Sequence, residues 1–225
     1  MDQADTRDDH KRTEVIRAAR ECFVHFGLKR ATMDDVATAT GFSRRSIYQY
    51  AGNKTELIAA VFAEELRRAC AAATARLDFD LPPAQLIALA EVSLFAGAVD
   101  NAFIKRVLDV ESLTVTMEVA GNDKQIRAIM VEYWTPVLDH LDGLGQLRTD
   151  VPRDRLLVWL LWVHQMLLAQ PSTLTEDLDL REEMLQQFLA PALLTSGGAL
   201  GPWASPDGRD EKVRGDVVQA NGVGR

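Results

Sequence analysis

Residues Val15–Leu57 read VIRAARECFVHFGLKRATMDDVATATGFSRRSIYQYAGNKTEL, and the punctuation of this stretch decides the fold. Val15, Ile16, Ala19, Cys22, Phe23 and Phe26 recur at helical spacing, the apolar stripe of a helix from about Asp9 to Phe26. Gly27 is placed to end that helix as a C-cap. Thr32 precedes Met33-Asp34-Asp35, the order of a capping box at the start of a second helix over Met33–Thr40, with Val36 and Ala37 inward. Gly41 permits a tight turn, Phe42 reads as core, and Ser43 caps a third helix over Arg44–Tyr50. Asn53 then caps a fourth helix that opens at Lys54 and has Glu56 at its third position.

The third helix carries the functional information. With Ile47 turned to the core, a step of about 100° per residue puts Arg45 and Gln49 on the opposite side. Tyr48 and Ser46 flank them, and Arg44 projects from the N-terminal end. Arginine pairs with guanine and glutamine with adenine in the major groove, whereas hydroxyls, tyrosines and helix N-termini hold phosphates. An exposed Arg-Arg pair alone would suit any solvated surface helix. The glycine turn, the serine cap and the short helix around Ile47 shift the reading to a helix-turn-helix that inserts one helix into DNA.

The same residues resemble the DNA-binding domain of the TetR/AcrR family of bacterial transcriptional regulators. The resemblance rests on Ala18-Ala19, Phe23, Gly27, Thr32, Ala37, Gly41-Phe42-Ser43, Ile47-Tyr48-Gln49-Tyr50 and Asn53-Lys54-Thr55-Glu56-Leu57, in order and at the family's spacing. It implies that Thr32, Ser43, Tyr48, Tyr50 and Lys54 hold phosphates, and that Arg44, Arg45 and Gln49 approach base edges. Ala51 departs from the pattern, which has Phe there. Truncating a buried Phe to Ala costs about 3–5 kcal/mol unless the site repacks, and Phe42, Phe26 or Phe62 are the side chains at hand to do so.

Outward from this stretch, the chain is 225 residues, 47% hydrophobic and 26% charged, with a formal net charge of −8. The charge is uneven. Residues 1–55 hold 10 Lys and Arg against 8 Asp and Glu, while the remainder is strongly acidic. A mildly basic module on an acidic body fits DNA contact through one face. The polar first dozen residues do not form a signal peptide, and the apolar run Leu156–Leu161, interrupted at His164 and Gln165, is too short to span a bilayer. Cys22 and Cys70 lie in helical patterns and read as buried thiols. The expectation is a soluble cytoplasmic protein.

The body reads as helices throughout. The fourth continues to about Leu77 and links the two parts. Others are expected over Pro83–Ala98, over Asp100–Val110 with an extension towards Met117, from Gly121 to about His140 with a kink at Pro136, over Pro152–Ala169 and over Leu180–Leu194. The fold class is therefore all-α, about nine helices in total: a three-helix helix-turn-helix domain (1–55), then a helical effector-binding and dimerisation domain (56–195). The tail 196–225 holds 7 of the 14 glycines and reads as disordered, Trp203 included.

Leu156, Trp159, Leu160, Trp162, Val163, Met166 and Leu167 surround their helix, so it must be covered on several sides. A monomer core would use them on its own account. In the resembled family the last two helices form a four-helix dimer interface, which implies a homodimer through Leu156, Trp159, Leu160, Val163, Leu167, Leu185, Phe188 and Leu189. The resemblance also implies a small-molecule effector, hydrophobic or amphipathic, in a pocket drawn from Phe95, Phe103, Met117, Met130, Tyr133, Trp134, Trp159 and Trp162, with His164 or Glu111 as polar groups. For any one of these residues, plain core packing explains the side chain as well.

No phosphate loop, nucleophile elbow or clustered Cys/His set occurs, and the four histidines are scattered, so no enzyme, metal or cofactor is expected. Two other readings stand beside the ligand-responsive repressor on double-stranded operator DNA. One is a DNA-binding regulator that has no effector and works through a protein partner. The other is an all-helical enzyme, which would leave the recognition helix unexplained.

Overall fold

The computed structural model describes residues 3–99, 101–107, 124–169 and 178–195. Among them the regular elements are helices: α1 (Gln3–Phe26), α2 (Met33–Thr40), α3 (Arg44–Ala51), α4 (Lys54–Thr74), α5 (Pro83–Val99), α6 (Ala102–Val107), α7 (Lys124–Gly143), α8 (Arg153–Ala169) and α9. The last, α9, runs as Leu178–Met184, a π-helical turn Leu185–Leu189 and a final turn Ala190–Leu193. Met117, Glu111 and the tail 196–225 with Trp203 lie outside the described residues.

The head closes around a small core. Val15, Ala18, Ala19, Cys22 and Phe23 of α1 meet Val36 of α2, Ile47 of α3 and Leu57 of α4, all buried. Full burial of a Leu, Ile or Phe side chain is worth about 1.5–3 kcal/mol, so this handful of residues holds in place α2 and α3, each of 8 residues and too short to stand alone. Ile47 is the buried residue of α3, as the helix-turn-helix reading requires. α1 begins at Gln3, two turns before the expected Asp9, because Asp5–Asp9 carry no helix breaker and the apolar stripe alone does not mark a polar helix end.

Positive φ at Gly41 and Gly52 shapes the turns on either side of α3. Gly41 has φ of 71° and reverses the chain between α2 and α3. Gly52 has φ of 67°, and a Cβ there would collide with the Glu56 carboxylate. That carboxylate is already committed: its Oε2 accepts from the Asn53 backbone N–H (2.8 Å) while Asn53 Oδ1 accepts from the Glu56 N–H (3.0 Å). The capping box that starts α4 thereby dictates the residue before it.

α4 runs from head to body. Leu57 and Ile58 belong to the head core; Leu66, Cys70 and Ala73 reach the body, where α4 packs on α5 and α7. α5 is apolar nearly all round and is the central rod of the body, in contact with α4, α6, α7, α8 and α9. α7 continues through Pro136, burying Ile129, Met130, Tyr133, Trp134, Val137 and Leu141. The end of α9 is pinned to the loop after α7. Arg148 N–H donates to the Leu193 carbonyl (2.9 Å), and Thr195 N–H to the Gln146 carbonyl (2.8 Å). Among the described residues no helix is long and apolar enough to cross a membrane. Both cysteines are buried free thiols, and burial pushes the Cys70 thiol up to about 12.

Candidate nucleic-acid interface

α2, the Gly41 turn and α3 form the presenting surface. Thr32 caps α2: its Oγ1 accepts from the Asp35 N–H (3.2 Å) and donates to Asp35 Oδ2 (2.7 Å), which also accepts from the Thr32 N–H (2.8 Å). The hydrogen bonds from the Thr32 hydroxyl and then its backbone hold the Asp35 carboxyl below the usual aspartate range. Ser43 caps α3, accepting the Ser46 N–H at 3.2 Å. Both capping residues are exposed at helix N-termini, where backbone N–H groups and the macrodipole favour a phosphate.

On α3 itself Arg44, Arg45, Tyr48 and Gln49 are exposed. Arg44 is partly organised: its Nη1 donates to Asp34 Oδ2 at 3.2 Å, and its guanidinium sits 5.8 Å from the centroid of the Tyr48 ring. Tyr48 first, then the Asp34 charge, raise the Arg44 pKa further. Tyr50 and Lys54 are half-buried and already bonded within the head. The Tyr50 hydroxyl accepts from Lys11 Nζ (3.2 Å) and donates to Asp8 Oδ1 (3.3 Å), tying α3 to the polar start of α1. Lys54 Nζ donates to the Lys29 carbonyl at 2.9 Å, stapling α4 to the loop between α1 and α2; burial lowers its pKa. Thus six of the eight expected DNA-contacting residues share the exposed surface, and two also brace it. Ala51 is half-buried. The Phe42 ring packs on Tyr50 with centroids 6.5 Å apart and Phe62 is buried, whereas Phe26 stays exposed against His25.

The residues expected around an effector divide into two groups. Phe95, Phe103, Met130, Tyr133, Trp134 and His164 are buried within the body. His164 Nδ1 lies 2.6 Å from Glu91 Oε1, deep between α8 and α5. The Tyr133 hydroxyl donates to the Ala90 carbonyl at 2.7 Å, and burial, then the Glu91 charge, push its pKa up. Glu91 Oε2 and Trp134 Nε1 are buried without a hydrogen-bond partner. Trp159 and Trp162 lie elsewhere, on an exposed face of α8. Trp159 there lines a cleft of about 240 Å³ between α8 and α9, together with Met166, Met184 and Phe188. Of the expected dimer residues, Leu156, Leu160, Val163, Leu185 and Leu189 are buried within the chain, Leu167 is half-buried, and Trp159 and Phe188 are exposed.

Two acids matter to the packing: Glu65, which with Glu64 reads from the sequence as a solvated acidic pair but is buried because Arg20, Arg68 and Asn101 bind it, and Glu91, which the sequence reading did not single out. A signal was available for both. Glu65 falls on the apolar stripe of α4, four residues after Val61, and Glu91 is the one charged residue between Leu86 and Val99.

A three-helix head that presents an exposed basic and amide-bearing helix between two capped N-termini, on a helical body, defines a helix-turn-helix DNA-binding protein. Residues 15–61 match the family model of the bacterial regulatory proteins of the tetR family. That match covers the head, and together with the repressor relatives it supports a DNA-binding regulator. The HTH-type transcriptional repressor AcnR of Corynebacterium glutamicum is 26% identical over 198 residues, which cover 80% of this chain and 94% of that protein. AcnR of Corynebacterium efficiens is 25% identical over 197 residues, 79% of this chain and 94% of its own length. Among solved structures, the R. erythropolis transcriptional repressor QsdR superposes with a TM-score of 0.58 at 16% identity, over 87% of this chain and 99% of that one; this likeness concerns the fold.

Proposed function

We propose that this protein is a repressor that binds a palindromic operator as a homodimer and is released by a small hydrophobic or amphipathic molecule. Residues 1–55 form the DNA-binding unit and residues 56–195 the effector and dimerisation unit. The observation that carries the reading is α3, with Ile47 buried and Arg44, Arg45, Tyr48 and Gln49 exposed beside the capped N-termini of α2 and α3. Arg44, Arg45 and Gln49 read base edges; Thr32, Ser43, Tyr48, Tyr50 and Lys54 hold phosphates. Repression is supported by the names of the AcnR relatives.

Dimerisation is supported by the exposed apolar face of α8 and α9, where Trp162 is 60% and Phe188 70% exposed, with Trp159 and Met166 beside them. So large an apolar patch on a lone chain favours a partner surface, and a two-fold axis through it carries the two heads to half-sites about 34–36 Å apart or a multiple of that. Effector binding is supported by the buried polar atoms of Glu91 and Trp134 among aromatic side chains, a site where a ligand's polar group would find partners. A ligand acts only through its differential affinity for the two head spacings.

The test is selection of binding sites from random duplex DNA by purified protein at fixed salt, with sedimentation of the complex and competition by a metabolite panel. The expected result is an inverted repeat bound by two chains and released by one class of metabolite. Absence of any enriched sequence at low salt would overturn the reading; an enriched repeat that no metabolite releases would favour a regulator working through a protein partner.

A further inference from the structure

Three elements meet at one buried carboxylate. Glu65 on α4 is 3% exposed although charged. Its Oε1 accepts from Arg20 Nε of α1 at 2.8 Å and from Arg68 Nη1, one turn along α4, at 2.9 Å. Its Oε2 accepts from Asn101 Nδ2. Asn101 Oδ1 in turn accepts the N–H groups of Phe103 (2.9 Å) and Ile104 (3.2 Å), so the residue that reaches Glu65 also caps α6. α6 then closes the circuit on α1: Arg106 Nε donates to the Val24 carbonyl at 3.1 Å, and the Phe103 ring faces Phe23 with centroids 6.3 Å apart.

The two carboxylate oxygens therefore serve two bodies. One holds the head through α1, and the other holds the first turn of α6 in the body. Burying a charge here is a poor way to gain stability, since a packed apolar side chain of similar volume would serve as well or better. A carboxylate with three directed contacts does what apolar packing does not: it fixes an angle, because hydrogen bonds weaken steeply with misalignment whereas apolar surfaces slide. We propose that Glu65 is a positioning residue that sets the angle between the DNA-reading head and the body, and that a shift of α6 reaches α1 through this carboxylate. The inference rests on the reading of two heads engaging one operator.

The test uses the full-length protein and two duplexes: the selected inverted repeat, and the same duplex with one half-site scrambled. In Glu65→Gln the amide nitrogen faces the Asn101 amide donor and the link to α6 is lost, while size is kept. Glu65→Gln is expected to bind the inverted repeat about ten-fold more weakly than the parent, because misaligned heads lose the gain of simultaneous engagement, and to bind the single half-site as the parent does. Adding Asn101→Asp reverses donor and acceptor at the lost link and keeps an oxygen to cap α6; the double variant is expected to recover the preference for the repeat. Arg20→Gln, half-exposed and outside the core, cuts the head side alone and is read in the same way should Glu65→Gln melt early. Equal loss on both duplexes, or none on either, overturns the proposal while leaving the dimer reading intact. A parent that binds the two duplexes equally overturns the dimer reading, and the proposal with it.

Discussion

Arg44 and Asp34 face each other across the turn between α3 and α2, and their 3.2 Å contact is a matter of orientation more than stability, since both are largely exposed. With Nη1 held by Asp34 and the Tyr48 ring nearby, the guanidinium is presented in one pose. Asp34→Asn is expected to leave the melting temperature unchanged and to relax base preference at the position Arg44 reads, which site selection with the variant would register as lost information at one base pair. Arg45 makes no contact that would restrain it, so its direct pairing is tested by truncation. Arg45→Ala should cost about 1–3 kcal/mol against the preferred base and less against the others. Lys54→Ala should weaken all sequences alike and lower the slope of log K against log salt by about one. Arg44 and Arg45 were nameable from their places on the helix around Ile47, whereas Lys54, on the next helix, was implied only by the family resemblance. Asp34 was legible only as a helix-start acid; its pairing with Arg44, ten residues on, needed the turn geometry.

At the scale of elements, the α2 capping box depends on an ionised Asp35. Its folded pKa lies below the ordinary carboxylate value, so its contribution is present above that value and is lost as pH falls through the folded one. Asp35→Asn should therefore lower the urea midpoint at neutral pH and flatten the acid limb of the stability profile below the ordinary aspartate range. The exposed face of α8 and α9 makes a second prediction: Phe188→Glu should sediment as a monomer with the parent's helix content, and a variant that still sediments as a dimer would place the interface elsewhere. Helix starts were legible wherever a capping side chain precedes an apolar stripe, as at Met33, Arg44 and Lys54. The π-helical turn Leu185–Leu189 was not, because one extra residue in a turn leaves the composition unchanged and is stabilised by packing around Leu185 and Leu189.

For the whole molecule, burial of Cys22 and Cys70 in the continuous core gives a probe of global opening. With the Cys70 thiol raised to about 12 and the Cys22 thiol also raised by burial, both should resist alkylation at pH 8 until urea unfolds the chain. Labelling of Cys70 that precedes loss of helical signal would instead reveal a local opening between α4 and the body.

The sequence by itself determined the helical class, the head and the outward face of α3, since these follow from local periodicity, capping side chains and glycine placement within some forty residues. Only the tertiary structure decided which apolar side chains of the body turn inwards, separating buried Tyr133 and Trp134 from exposed Trp159 and Trp162. A helix such as α5 or α8, apolar on nearly every side, carries no periodic signal to orient it, and its neighbours choose the face. The same holds for Glu65 and Glu91: an acid on an apolar face announces that it needs a partner, but the partners, Arg20, Asn101 and His164, come from distant segments that only the packing of the chain brings within hydrogen-bond reach.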